Sequence, residues 1–219
     1  MTATWTKTLR TLDPADLKSV FGCRSDVSRD ARRLERERKF TTRTAQREFK
    51  NGLRVRNAIR LLERLPEPGE TLHLVFSGSF DAFDVIPAML TMAAPAVIEN
   101  LGLASLGFNE KNTATLLRLL DKGQVKRCSF LCSIYFKSME DGGCIFENLH
   151  RELTARGHQC KAVRSHAKII LAQFTDGRCF AWESSANLRS CRNCEQASLT
   201  ADRELFLFHQ QWMQEFLDG

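Results

Sequence analysis

The sequence predicts an α/β domain, a sheet flanked by helices, preceded by an Arg-rich helical segment. Three observations carry this reading: strand and helix patterns alternate after residue 70, positive charge concentrates before it, and a Pro/Gly break separates the two. The break is Leu65-Pro66-Glu67-Pro68-Gly69, which cannot continue a helix. The expected organisation is a basic helical segment over 1–66 and a second domain over 70–219.

In the first segment, Asp13-Pro14 has the form of an N-cap followed by proline at the first helical position, and Gly22 stands where a C-terminal cap would. Between Gln46 and Leu65, the residues Val55, Ala58, Ile59, Leu62 and Leu65 form an apolar stripe at helical spacing, with Arg54, Arg56, Arg60 and Arg64 off it and Gly52 as an expected interruption. In the second domain, Thr71–Phe76 reads as a strand and Asp81–Ala93 as a helix. Ala96–Leu106 contains a strand, Asn109–Lys122 is a helix closed by Gly123, Val125–Tyr135 is a strand, and Met139–Arg156 is a helix closed by Gly157. The rhythm then changes to three strands, Cys160–Arg164, Ala167–Phe174 and Arg178–Glu183, with a tight turn at Thr175-Asp176-Gly177. A last helix, Asp202–Leu217, is expected to bury Leu205, Phe208, Trp212 and Phe216.

Composition narrows the class. A chain of 219 residues with 43% hydrophobic and 26% charged residues is long enough for a real core. No apolar run approaches the roughly 20 residues that span a bilayer, and Met1 to Leu17 carry no secretion signal. The expected location is the cytoplasm. The eight cysteines are irregularly spaced and read as reduced thiols. Cys191-x-x-Cys194 alone has metal-ligand spacing, and without a second Cys/His pair nearby no metal or other cofactor is expected. The net charge of +6 is uneven: Arg24 to Arg64 holds 14 Lys/Arg against 6 Asp/Glu, and the remainder 18 against 20. Such a segment fits a nucleic-acid backbone, with Arg32, Arg33, Arg36, Arg43, Arg47 and Arg54 as the candidate contacts. An equally weighted reading is a solvated helix face of alternating charges, as in ARRLERERK.

The chemistry concentrates in Ser165 to Gln196. Residues two apart on a strand share a face, so His166 and Lys168 are expected side by side, while Ala167, Ile169 and Leu171 enter the core. The lysine disfavours a protonated His166, leaving a neutral nucleophile beside a cation that awaits an anion. Beyond the hairpin, Ser185 and Asn187 are again two apart and can donate to phosphoryl oxygens, with Glu195 following on a loop or short helix. Nearby Phe180 and Trp182 serve either as base-stacking residues or as core.

His166-Ala-Lys168, then Ser185-Ala-Asn187-Leu188, then Glu195, resembles the phospholipase D superfamily, whose signature is H-x-K-x4-D followed by G-S-x-N and a later acidic residue. Two positions depart from the pattern: Gln173 stands where the aspartate would fall, and Ser184 replaces the glycine. The resemblance covers about Leu72 to the C-terminus and implies a phospholipase-D-like mixed sheet. It implies phosphodiester cleavage through a phosphohistidine on His166, with Lys168, Asn187 and Ser185 neutralising the non-bridging oxygens and Glu195 orienting an imidazole. It also implies a second histidine from a second motif. None of His73, His150, His158 and His209 is followed two positions later by lysine, so the expected assembly is a symmetric homodimer. The expected function is a metal-independent nuclease acting on DNA. The alternatives are a lipid phosphodiesterase, a nucleic-acid-binding protein with impaired turnover (favoured by Gln173 and Ser184), and a component of a larger defence or phage-type assembly.

Overall fold

The computed structural model describes residues 43–189 and 193–219. The chain divides into Met1–Phe49 and a second unit, Lys50–Gly219. Arg32, Arg33 and Arg36 lie outside the described residues; Arg43 and Arg47 fall within the first described helix, but their side chains do not belong to the described set.

The elements are α1 (Arg43–Leu62), β1 (Thr71–Ser77), α2 (Val85–Ala93), β2 (Ile98–Ser105), α3 (Glu110–Asp121), β3 (Val125–Ser133), α4 (Ile134–Lys137), α5 (Glu140–Ala155), β4 (Gln159–Val163), β5 (Ile169–Phe174), β6 (Cys179–Ser184), β7 (Cys194–Thr200) and α6 (Arg203–Asp218). A 3₁₀ turn, Ala82–Asp84, precedes α2. The seven strands form one mixed sheet in the order β1-β7-β6-β5-β2-β3-β4. β2, β3 and β4 run parallel, and the pairs β5–β2, β6–β5, β7–β6 and β1–β7 are antiparallel.

Strand alternation divides the interior in two. Ile170, Ala172, Phe174, Phe180 and Trp182 enter the larger core with α2, α3 and α5. Ile169, Leu171, Cys179 and Ala181 face the other way, against Phe206 and Met213 of α6. The apolar stripe of α1 docks as its spacing predicts: Ala58 and Leu62 are buried, and Val55, Ile59 and Leu65 pack beside them. Gly52 does not interrupt this helix, which runs through it. Gly123 and Gly157 end α3 and α5 with φ of 67° and 76°, the left-handed geometry that favours glycine.

Three sequence expectations are corrected. Ile134–Lys137 leaves the strand as a helical turn, because Ser133 caps it by accepting the Tyr135 N–H at 3.3 Å. Glu195 lies in β7, a full strand whose two neighbours supply the ladder that its few apolar residues do not announce. In α6, Phe208 and Phe216 are exposed, and the buried residues are Phe206, His209 and Met213. Among the described residues no helix is long and apolar enough to cross a membrane, and the six described cysteines are free thiols.

Candidate active site

The strand directions place the carboxyl ends of β1, β2, β3 and β6 at the same sheet edge as the amino ends of β5 and β7. In open α/β sheets this edge, where neighbouring connections diverge, is where ligands bind. The sequence motif is delivered there from three segments.

His166 and Lys168 occupy the irregular segment that precedes β5, which begins at Ile169 rather than at Ala167. Lys168 is still joined to the sheet, because its carbonyl accepts the Ser184 N–H at 3.2 Å. Its ammonium donates to the His166 carbonyl at 2.8 Å. The His166 ring is exposed and stands against Tyr135, with centroids 5.6 Å apart and ring planes at 84°.

The second segment leaves β6. The Ser184 hydroxyl donates to the Ala186 carbonyl at 3.0 Å and closes the turn at the position where the superfamily pattern has glycine. The Ser185 hydroxyl donates to the Glu195 carboxylate and accepts the Gln196 N–H at 3.1 Å. Ser185 and Glu195 are thus bonded partners, joined across β6 and β7. Asn187 sits between Ala186 and Leu188, both buried at 3% exposure, which act as apolar anchors on each side of it. Its Oδ1 is buried and takes no hydrogen bond among the described residues. No hydrogen bond joins the His166 or Lys168 side chains to those of Ser185, Asn187 or Glu195; the two halves of the motif meet through backbone pairing.

Sequence reading missed the residues that hold this turn. Ser105, buried at the end of β2, accepts the Leu188 N–H at 3.2 Å and donates to the Gly107 carbonyl at 2.8 Å. Asn112, buried in α3, donates through Nδ2 to the Leu188 carbonyl at 2.7 Å. Both are buried polar residues that pair far along the chain, so no local pattern marks them.

Of the expected nucleic-acid contacts, the described side chain is that of Arg54, whose Nη1 lies 2.6 Å from Asp81 Oδ2. Asp81 and Asp84 are buried together, and the Asp84 carboxylate accepts the Asp81 N–H at 2.8 Å. Burial pushes the Asp84 carboxyl up and the ammonium of nearby Lys111 down. Phe180 and Trp182, each 1% exposed, are core residues, which decides between their two readings. Gln173 accepts from Asn100 Nδ2 at 2.6 Å, and Asn100 Oδ1 accepts from Arg127 at 2.7 Å. At seven residues from His166 along extended chain, roughly 20 Å, Gln173 belongs to that polar ladder and not to the site.

An open groove of about 550 Å³ starts at Ser185 and runs past Glu183, Gln196 and Ser198 to His73. Below Glu183, the Trp212 indole N–H donates to His209 Nδ1 at 2.9 Å, so the other ring nitrogen carries the proton it shares with Glu183 at 3.2 Å. Among the described residues no group of three or more His, Cys, Asp or Glu is placed to hold a metal ion.

No known family's sequence profile matches the chain, and no curated protein is significantly similar to it. Solved structures are. A phospholipase D family member, Nuc from Salmonella typhimurium, superposes with a TM-score of 0.49 and 13% identity, covering 67% of this chain and 93% of its own. Polyphosphate kinase from Porphyromonas gingivalis gives a TM-score of 0.51 and 16% identity over 73% of this chain. This chain spans 28% of the length of that kinase. Phosphatidylserine synthase from Haemophilus influenzae gives 0.41 and 14%, covering 68% of this chain and 39% of its own. At such identities the likeness is one of fold alone: a mixed sheet flanked by helices, shared with the polyphosphate kinase over 73% of this chain.

Proposed function

We propose that the chain is a metal-independent phosphodiesterase in which His166 is the nucleophile, and that it acts on nucleic acid as a homodimer. The observation that carries this reading is the meeting of Lys168, Ser184 and the Ser185–Glu195 pair at one sheet edge, beside an exposed imidazole. A neutral nitrogen of His166 attacks phosphorus in line. The bond from phosphorus to the leaving oxygen breaks, and a phosphohistidine forms. Lys168 leaves the His166 carbonyl for a non-bridging oxygen, where Ser185 and Asn187 add hydrogen bonds in place of a metal ion. A histidine from the second copy protonates the leaving oxygen and then takes a proton from water. Water attacks phosphorus, the N–P bond breaks, and His166 is restored. Glu195, which already accepts from Ser185, is the carboxylate that orients an imidazole.

Nucleic acid is favoured over lipid by the surplus of arginine over 24–64, with Arg32, Arg33, Arg36, Arg43 and Arg47 holding backbone phosphates. DNA is the form of nucleic acid proposed, in a cytoplasmic setting. Cleavage of plasmid and of single-stranded circular DNA in EDTA, wild type against His166→Ala, is the test. Cleavage should persist in the chelator and vanish in the variant. Cleavage that requires added metal, or a His166→Ala protein as active as wild type, would reject the mechanism. Sedimentation velocity checks the dimer: a monomer at working concentration that still turns over contradicts a shared site.

A further inference from the structure

We propose that Tyr135 is the substrate-reading residue of this site and that it stacks an unpaired nucleobase next to the scissile phosphate, so that the substrate class is single-stranded nucleic acid. The inference rests on the reading of His166 as a nucleophile on a phosphodiester and adds which part of the substrate the protein recognises.

Tyr135 is the sole tyrosine of the sequence, and it is 58% exposed while Phe180 and Trp182 are core. Its ring is perpendicular to that of His166, so at least one face of the phenol stays uncovered at the point where phosphorus would be attacked. The flanking apolar residues Ile134 and Met139 are exposed as well.

The platform is held firmly. Ser133 accepts the Tyr135 N–H, and Ser138 donates to the Tyr135 carbonyl at 2.8 Å. The next residue, Phe136, is buried against Phe108 with centroids 4.9 Å apart. A Cβ on Gly142 would stand 2.1 Å from the Phe136 carbonyl oxygen, so α5 begins in direct contact with the turn that carries Tyr135.

Cations stand in both segments that meet this turn: one follows Asn187 and one precedes His166. Arg189, two residues beyond Asn187, sets its guanidinium 6.0 Å from the Phe136 ring centroid. Arg164, two residues before His166, is exposed. Among the described residues neither has a carboxylate partner. An exposed aromatic face with arginines that have no carboxylate partner among the described residues is the pattern that tracks a single strand, because every base has a π face, whereas a base inside a duplex has both faces occupied. A lipid phosphodiester brings no ring to the same place.

The test is binding in the His166→Ala background, which removes turnover, read by anisotropy of a labelled oligothymidylate, an abasic oligomer of equal length and charge, and a duplex. The single strand should bind about 10-fold more tightly than the abasic oligomer, the scale of one stacked base. Tyr135→Ala should erase that preference while leaving the abasic affinity and its salt dependence unchanged. Tyr135→Phe and Tyr135→Trp should keep it. A Tyr135→Ala protein that retains the preference overturns the inference, as does equal binding of base and abasic oligomers by the parent. So does Tyr135-dependent binding to anionic phospholipid vesicles that exceeds binding to the oligomer. Cleavage by the otherwise wild-type chain separates the two claims: Tyr135→Ala should raise KM and leave kcat within a few-fold, whereas failure of the nucleophile reading appears as turnover that survives His166→Ala.

Discussion

Asn112 Nδ2 donates to the Leu188 carbonyl at 2.7 Å, tying α3 to the turn that presents Asn187 across 76 residues of sequence. Asn112→Ala leaves that buried carbonyl with only the distant Phe83 N–H at 3.4 Å. The expected loss is about 1–3 kcal/mol of stability, the range for an orphaned buried polar group. Urea unfolding measures it. Cleavage at a temperature where the variant remains folded should also fall, because Asn187 loses one of its anchors. Asn112→Asp, which cannot donate, should rescue neither.

Gly142→Ala should be the most disruptive of the glycine substitutions in this part of the chain. Its methyl would meet the Phe136 carbonyl oxygen at 2.1 Å, a contact with backbone that no rotamer relieves. An expected cost of about 1–3 kcal/mol follows from overpacking, accompanied by displacement of Tyr135. Gly52→Ala is the opposite control: nothing lies within 4 Å of the added methyl, and an exposed helical glycine replaced by alanine should gain about 0.5–1 kcal/mol. Paired thermal unfolding of the two variants checks both signs.

Asp84 and Glu70 should respond to pH in opposite directions. Burial raises the Asp84 carboxyl above its unfolded value, so the native state holds the proton more tightly. Its contribution to stability is therefore greatest in acid and is lost as pH rises through the raised value. Asp84→Asn should gain on wild type between acid and neutral pH, and a difference in Tm that stays constant across that range would contradict this. Glu70 is lowered to about 2 by its two hydrogen bonds from Arg64 and the one from the Glu67 amide. Its contribution is present above the unfolded carboxylate value and disappears as pH falls toward 2.

Thiol reactivity should divide by depth. Burial pushes Cys128 and Cys132 up to about 12 and raises Cys160 and Cys179 as well. The thiolate is the reactive form, so these four should label with a disulfide reagent only on unfolding, whereas exposed Cys144 and Cys194 should label in the native protein. Rapid native labelling of all four buried thiols would contradict their burial in the two cores.

The course of the chain and its candidate site were legible for different reasons. Helices such as α3 and α5 show themselves through stripes, caps and terminal glycines, all of which are local. The His166–Lys168 and Ser185–Asn187 pairs are visible because their spacing is local as well. β7 was missed because Cys-Glu-Gln-Ala-Ser-Leu-Thr has only Ala197 and Leu199 to bury; it is a strand because β1 and β6 pair with it on either side. Gln173 was read against a motif, whereas its role is set by Asn100 on the neighbouring strand.

The amino-acid order by itself determined the alternation of elements, the concentration of arginine before residue 65 and the spacing of the candidate site residues, since each depends on residues within a turn or a strand of one another. Tertiary structure alone decided that β7 inserts between β1 and β6, that Ser185 bonds to Glu195, that Ser105 and Asn112 hold the Asn187 turn, and that Tyr135 rather than Phe180 or Trp182 stands beside His166. These are contacts between residues tens of positions apart, chosen by which pairings bury apolar surface while satisfying every backbone group, a condition that only the assembled sheet can meet.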